Sequence, residues 1–366
     1  MEFELSDEQA MLRDMADRLA AGQHGFDARR AAIASADGQV PGFWDQVAGL
    51  GLIGAALPEA DGGLGGGAIE TMLIQQAFGR HLVLSPYLPT ALAGSLIADA
   101  GTTAERAALL PPILAGTCTV ALAIGGGIAA RPAGAGYVLD GEEPLVVAAP
   151  WCDRLLVAGW LADDVAAFFL PTDAPGITTQ ALRTIDGGRA ARLRLTGVRV
   201  GAADRIGGDA DLAPAIDRLR DGAVVALCAA ACGSIEALLD ATLAYARTRQ
   251  QFGQPIGRFQ ALQHRMVDML VAREQALSIT HRAALAQEAD AVTRSRATSA
   301  AKAQVGRLGR AAAQAAVQIH GGIGITDELD VSHHFRCIEM LDMQFGSADF
   351  HVRRYADLLD EEAAAA

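Results

Sequence analysis

Ala246-Arg247-Thr248-Arg249-Gln250-Gln251-Phe252-Gly253-Gln254-Pro255-Ile256-Gly257-Arg258-Phe259-Gln260-Ala261-Leu262-Gln263-His264 is the stretch on which the reading of this chain turns. Upstream, Val224 to Tyr245 is rich in alanine and leucine and reads as a buried helix. Downstream, Leu262, Met266, Met269 and Leu270 recur at helical spacing, which predicts a second helix. Gly253, Pro255 and Gly257 force a tight break between the two. A helix that stops in a turn rich in Arg and Gln offers a cation and amide groups to an anion, and the next helix adds free N–H groups. An ordinary helical hairpin with a solvated basic turn is the alternative that the same residues leave open.

Outward from this stretch, the pattern changes twice. Ser6-Asp7-Glu8-Gln9 is a capping box that starts a first helix, with Leu12, Met15 and Leu19 on its apolar face. Phe43, Trp44, Val47, Leu50 and Leu52 predict a second helix, and Ile69 to Phe78 a third. Gly62 to Gly67, between these two, lacks the Lys-Ser/Thr and the preceding strand of a phosphate loop and reads as a connection. Helices continue to about Leu114, with breaks expected at Ser85-Pro86 and Pro111-Pro112. From Thr117, short apolar runs alternate with turns: Val120 to Ala123, Tyr137 to Leu139, Leu145 to Val147, Leu155 to Ala158, Ala167 to Leu170 and Ala191 to Leu195. These predict a compact β-barrel or sandwich. The helical period returns at Leu212, and Asp360 to Ala366 reads as a frayed tail. The expected domains are 1–116 (helical), 117–205 (β) and 206–366 (helical).

Composition narrows the function classes. The chain has 366 residues, 51% of them apolar, enough for a large core. Its formal charge of −13 argues against nucleic acid or an anionic membrane surface as a general partner. Met1 to Ser6 lacks the basic-then-apolar pattern of a signal peptide, and the longest apolar run, Gly222 to Ile235, is short for a membrane span. Cys118, Cys152, Cys228, Cys232 and Cys337 are scattered and odd in number, as expected of small apolar fillers in a reducing cytoplasm rather than metal ligands.

Arg249-Gln250-Gln251-Phe252-Gly253 with Phe259-Gln260 resembles the central signature of the acyl-CoA dehydrogenase family. Gln318-Ile319-His320-Gly321-Gly322-Ile323-Gly324 is a second match at the distance the family would place it. A third is Gly49 to Gly54 through Pro58-Glu59 and Gly62-Gly63-Leu64-Gly65. Together they cover most of the chain. The resemblance implies a mainly α fold with an inserted β-domain: an N-terminal helical domain, a middle β-barrel and a C-terminal four-helix bundle. It also implies FAD as cofactor, an acyl-CoA substrate oxidised to the 2,3-enoyl-CoA, and an electron-transfer flavoprotein as acceptor. In that chemistry a carboxylate removes the α-proton while hydride leaves the β-carbon for the flavin N5, and hydrogen bonds stabilise the developing enolate.

Against the family pattern, the site residues divide. The resemblance places Arg249, Gln251, Phe252 and Gln260 along the adenosine-pyrophosphate channel, closed from the other side by Gln318 and Gly321-Gly322, and reaching across a dimer to the FAD of the neighbouring subunit. Arg249 supplies a forked donor set for pyrophosphate, and glycines let backbone N–H groups approach closely. His320 is expected to be a bystander. On the ring side the family's Thr-Glu-Pro…Gly-Ser-Asp stretch is replaced by Ala123-Ile124-Gly125-Gly126-Gly127-Ile128-Ala129-Ala130. The family's aromatic-Ile-Thr-Asn becomes Leu145-Val146-Val147-Ala148, and Val147 has no hydroxyl to offer. Gln344-Phe345-Gly346-Ser347-Ala348-Asp349 puts Phe345 at the usual position of the catalytic glutamate. The family's alternative position falls on Ala223, and Asp221 is expected to point elsewhere. Glu339, Asp342 and Asp349 remain as replacement carboxylates, and no catalytic residue is assigned.

The features a subunit presents across a dimer are thus kept, and those for its own flavin ring are lost. This is similar to the non-catalytic small subunit of a heteromeric acyl-CoA dehydrogenase of the pimeloyl-CoA or steroid side-chain type, in an α2β2 assembly with half the usual FAD sites. A self-sufficient homotetramer with a relocated carboxylate, and a flavin-free helical scaffold, are the two alternatives.

Overall fold

The computed structural model describes residues 5–365, with side chains as far as Asp360. In chain order the helices α1 (Asp7–Gln23), α2 (Phe26–Ala34), α3 (Phe43–Gly49), α4 (Ala68–Arg80), α5 (Tyr87–Ala100) and α6 (Thr103–Leu114) come first. The strands follow: β1 (Val120–Ala123), β2 (Ile128–Ala133), β3 (Gly136–Val147), β4 (Arg154–Leu161), β5 (Asp164–Pro171), β6 (Ile177–Arg183), β7 (Arg189–Gly201) and β8 (Arg205–Ile206). Then come α7 (Ala213–Thr248), a hairpin of β9 (Gln250–Gln251) and β10 (Gln254–Pro255), α8 (Gln260–Leu285), α9 (Ala291–His320), α10 (Asp330–Met343) and α11 (Ala348–Ala365). The order is the one expected above, with helices, then a mixed sheet, then helices.

Two compact units result, one of residues up to Arg29, 68–83 and from Asp221 onward, the other of 30–67 and 84–220. The first is a helical bundle. Its core gathers Met72 and Leu73 of α4, Val224, Cys228, Cys232 and Ile235 of α7, Met269 and Ala276 of α8, Ala301, Val305, Ala312 and Ala316 of α9, and Ile338 of α10. Ala223 to Ile235 is buried all round, so this part of α7 is the central helix. By length and composition α7 could cross a membrane, but 83% of its most apolar window is buried within the protein. The apolar run 222–235 is therefore the core of a longer helix.

α4 and α7 approach through glycine. A Cβ on Gly79 would overlap the carbonyl of Ala230, one on Gly233 would overlap that of Gln76, and Ser234 Oγ donates to Gly79 O at 3.0 Å. Gly233→Ala must therefore spread two backbones, and is expected to cost about 1–3 kcal/mol, read as a lower urea midpoint at unchanged slope.

The second unit is built on the sheet, in the order β6-β7-β3-β2-β4-β5-β8, with β1 branching from β4. β4 pairs with β1 over Arg154 to Val157 and with β2 at Trp160 and Leu161, both in parallel, and with β5 antiparallel along its whole length. The core is the inward face of these strands, including Leu139, Val146, Leu155, Val157, Phe168, Leu193 and Val198. Thr90 of α5 bonds both the N–H and the carbonyl of Val120, which fixes β1.

Several local expectations change. The runs Tyr137 to Leu139 and Leu145 to Val147 are one strand, β3; register shifts between Leu139 and Gly141 and between Glu143 and Val146 absorb the intervening polar residues. The helix expected through Leu52 stops at Gly49, because Gly51 at φ 71° starts a separate 3-10 turn. α2 had no clear apolar period and was not foreseen. α6 runs through Pro111 and Pro112 instead of breaking there: they lie in its last turn, and their carbonyls accept from Ala115 and Cys118. The capping box at Ser6 is present, with both bonds at 3.1 Å. The tail foreseen at Asp360 to Ala366 is helical in its backbone through Ala365; its side chains beyond Asp360 lie outside the described residues.

Candidate functional site

The hairpin after α7 is made by two consecutive left-handed residues, Phe252 at φ 53° and Gly253 at φ 78°, the geometry that a two-residue turn needs to match strand twist. It turns Phe252 outward, leaving it 90% exposed with only the edge of Phe259 nearby at 6.0 Å. Arg249, Gln251 and Gln260 are exposed as well. Gln318, Gly321 and Gly322, at the end of α9 and just past it, are also exposed, and no atom lies within 4 Å of a Cβ built on either glycine.

Although distant in sequence, the two motifs meet. Tyr245, one turn before Arg249, stacks on His320 with ring centroids 4.4 Å apart, and its hydroxyl donates to His320 O at 3.4 Å. His320 is buried, with its Nδ1 donating to Ala316 O at 2.8 Å. Gln318 also lines a cavity of about 410 Å³ between α8 and α9, with Arg265, Asp268 and Gln314. This end of the bundle therefore presents the cations Arg249 and Arg265, several amides and open glycine backbone. A larger cavity, about 880 Å³ and lined by Trp44, Trp151, Asp37 and Arg183, contains none of these residues.

The positions tied to proton abstraction are different in kind. Phe345 lies in the loop between α10 and α11 at φ 53°, half-buried against the bundle core. The loop is held from inside by His351 Nε2, which donates to Phe345 O at 3.0 Å, and by buried Lys302, which donates to Leu341 O. Burial holds the His351 imidazole down, to about 4, and burial likewise lowers Lys302. Both replacement carboxylates on α10 are engaged. Glu339 takes a two-pronged bond from Arg310 at 2.8 and 2.9 Å, and Asp342 accepts from Ala348 N at 3.0 Å, capping α11. Asp349, on the first turn of α11, is exposed and 3.6 Å from Arg307.

Ala223 is fully buried, and so is Asp221. Asp221 accepts from Arg294 Nε at 3.1 Å, Ser295 Oγ at 2.8 Å and Arg354 Nη1 at 2.8 Å, so both of its oxygens are engaged. On the sheet, Leu145 is partly exposed and Val147 half-buried. Sequence reading passed over Glu143, which is buried on β3 beside the Gly125–Gly127 turn. The signal was an acid inside what reads as a gap between two apolar runs.

Residues 6–117 match the family described as acyl-CoA dehydrogenase, N-terminal domain, and residues 219–359 match acyl-CoA dehydrogenase, C-terminal domain. The acyl-CoA dehydrogenase IpdE2 of Mycobacterium tuberculosis is 33% identical over 335 residues, 90% of each chain. The crystal structure of the ChsE4-ChsE5 complex from the same organism superposes with a TM-score of 0.90 at 26% identity, covering 99% of both chains. A structure described as a Tcur3481-Tcur3483 steroid ACAD variant gives a TM-score of 0.90 at 28% identity, covering 98% of this chain and 99% of that one.

Proposed function

This chain belongs to the acyl-CoA dehydrogenase family, and on that premise we propose that it is the partner subunit of a heteromeric, FAD-dependent enzyme, completing a nucleotide site on its neighbour and carrying no catalytic base. The observation that carries the reading is the contrast between the two halves of the site. Every residue assigned to the nucleotide is exposed and gathered at one end of the bundle, while the base positions hold Phe345 and buried Ala223.

The residues fit one half of FAD and not the other. Arg249 would pair with the pyrophosphate, Phe252 would offer a flat apolar surface, and Gly321 and Gly322 would admit backbone donors. On the ring side, Val147 has no hydroxyl, and the nearby glycine turn is already engaged by Glu143. Bound FAD would supply the two-electron acceptor for α,β-desaturation of an acyl-CoA thioester. What this chain contributes is orientation and charge for the nucleotide of the second subunit.

Other features of the reading follow. The assembly is an α2β2 heterotetramer with a second acyl-CoA dehydrogenase chain, working in the cytoplasm with an electron-transfer flavoprotein. The described complexes and the steroid ACAD likeness favour a bulky acyl group of the steroid or lipid side-chain kind. In this reading the family's three domains run over residues 1–116, 117–205 and 206–366, the first of them divided between the two compact units.

The test uses two preparations, the chain alone and the chain co-expressed with the product of an adjacent dehydrogenase gene. The expected result is one flavin per pair and dye-linked acyl-CoA oxidation only in the pair. In that pair, Arg249→Ala is expected to remove a charge-assisted contact of about 1.5–3 kcal/mol and weaken flavin retention about tenfold to a hundredfold. Yellow, active protein from the chain alone overturns the reading in favour of a self-sufficient enzyme. Colourless protein from both preparations overturns it in favour of a scaffold.

A further inference from the structure

The turn between β1 and β2 is not merely stripped of its family residues; it is filled. Gly125, Gly126 and Gly127 are exposed, yet the turn they form lies against the carboxylate of Glu143: Gly127 N donates to Oε1 at 3.2 Å, and the N–H groups of Gly125 and Gly126 also favour the charged carboxylate. Consecutive backbone donors of this kind form a concave anion site. Glu143 is 4% exposed, whereas Glu142 and Pro144 on either side of it are exposed.

The strand is built to allow this. Regular alternation would send Glu143 and Val146 to opposite faces, but the register shift between them in the β3–β7 ladder lets both turn inward. The turn is fitted to the carboxylate in return. A Cβ on Gly125 would overlap Glu143 Oε2, and one on Gly127 would overlap Glu142 O. Arg220 adds a positive charge beside the carboxylate and donates to Ile124 O at the start of the turn. A buried carboxylate is costly unless charge-assisted bonds compensate it, and here the Gly127 N–H bond, the neighbouring glycine N–H groups and the nearby Arg220 charge offset part of that cost. Burial still leaves Glu143 above the usual carboxylate range.

We propose that Glu143 is a built-in ligand: its carboxylate fills the backbone anion site of the β1–β2 turn and closes that turn to any external anion or ring substituent. The proposal rests on the partner-subunit reading, in which this chain binds no flavin ring of its own. It makes the ring side of the chain a self-occupied surface, complete without a cofactor.

The test measures thermal unfolding of the assembled protein with sodium formate against sodium chloride at equal ionic strength. Glu143→Ala is expected to lower the midpoint by about 3 °C or more, and formate, a free carboxylate, is expected to restore part of that loss. Wild type is expected to respond to both salts alike. Formate and chloride acting equally on Glu143→Ala would overturn the proposal. Gly125→Ala provides a second arm that does not depend on that variant folding, because Gly125 has no left-handed φ and alanine strains nothing but the carboxylate. It is expected to lower the midpoint in the otherwise unaltered chain and to be neutral in Glu143→Ala; an unmoved midpoint in the unaltered chain overturns the proposal. Flavin content per pair, which tests the subunit reading, is read separately and does not depend on the formate response.

Discussion

Acidified from pH 7 to pH 5, the helical unit is expected to lose about 6 kcal/mol of stability through three imidazoles, His24, His334 and His351. His24 caps the end of α1, and His334 lies in the second turn of α10. Around them stand Arg29 of α2, Arg80 of α4 and His81 just after it, and His333 and Arg336 of α10, with Asp17 paired to His81 at 2.8 Å and Asp327 3.8 Å from His333. Burial first and Arg29 second hold His24 down to about 4 and His334 to about 3, and burial holds His351 to about 4.

An imidazole near 6.5 when unfolded takes up its proton as pH falls below that value, while the folded chain refuses it. The unfolded state then binds more protons, so stability falls with pH, by about 2 kcal/mol for each such group at pH 5. The stability is present above about pH 6.5, and the loss levels off near pH 4 for His24 and His351 and near pH 3 for His334. His333 is also lowered to about 4, by burial and Arg29, but Asp327 lies beside it and we expect a smaller share. A total stability of about 5–15 kcal/mol makes this loss enough to approach unfolding near pH 5. Circular dichroism against urea at pH 7, 6 and 5 checks it: the midpoint is expected to drop steeply, with His334→Asn flattening the dependence. A midpoint unchanged between pH 7 and 5 would refute it.

Asp221→Ala is expected to destabilise the bundle by about 3–5 kcal/mol, the range for leaving a buried charge without its partner. Asp221 is fully buried and neutralises Arg294 and Arg354, while Ser295 bonds both Asp221 and Arg354. Its removal leaves Arg294, itself buried, facing Arg354 with only hydroxyls between. The same substitution bears on mechanism. Were Asp221 the relocated base, Asp221→Asn would abolish turnover at temperatures where the pair stays folded. With Asp221 as the structural anion, Asp221→Asn lowers the unfolding temperature and leaves kcat of the assembled pair unchanged. Calorimetry and single-turnover assays on the same sample separate these outcomes.

Much of the fold was legible because its signals are local. Ser6 and Gln9 cap a helix through their own chemistry, and the Ala- and Leu-rich run of α7 admits little but a buried helix. The split between Arg249 with Gly321-Gly322 and the apolar residues at 147 and 345 was equally legible, since a missing hydroxyl or carboxyl can be read from the residue alone. Long-range pairing was harder. Whether β3 would be one strand or two depended on where Glu143 found hydrogen-bond donors, and those belong to a turn on the far side of β2.

By itself, then, the sequence determined which residues could titrate, bond or pack, and the periods that make helices and strands of them. Only the tertiary structure decided which polar groups lost their water and to whom they turned. Asp221 went to two arginines, Glu143 to the glycine turn through Gly127 N, and Tyr245 to His320 across the end of the bundle. The reason is that desolvation and hydrogen bonding depend on neighbours brought together by packing, which no local window of sequence contains.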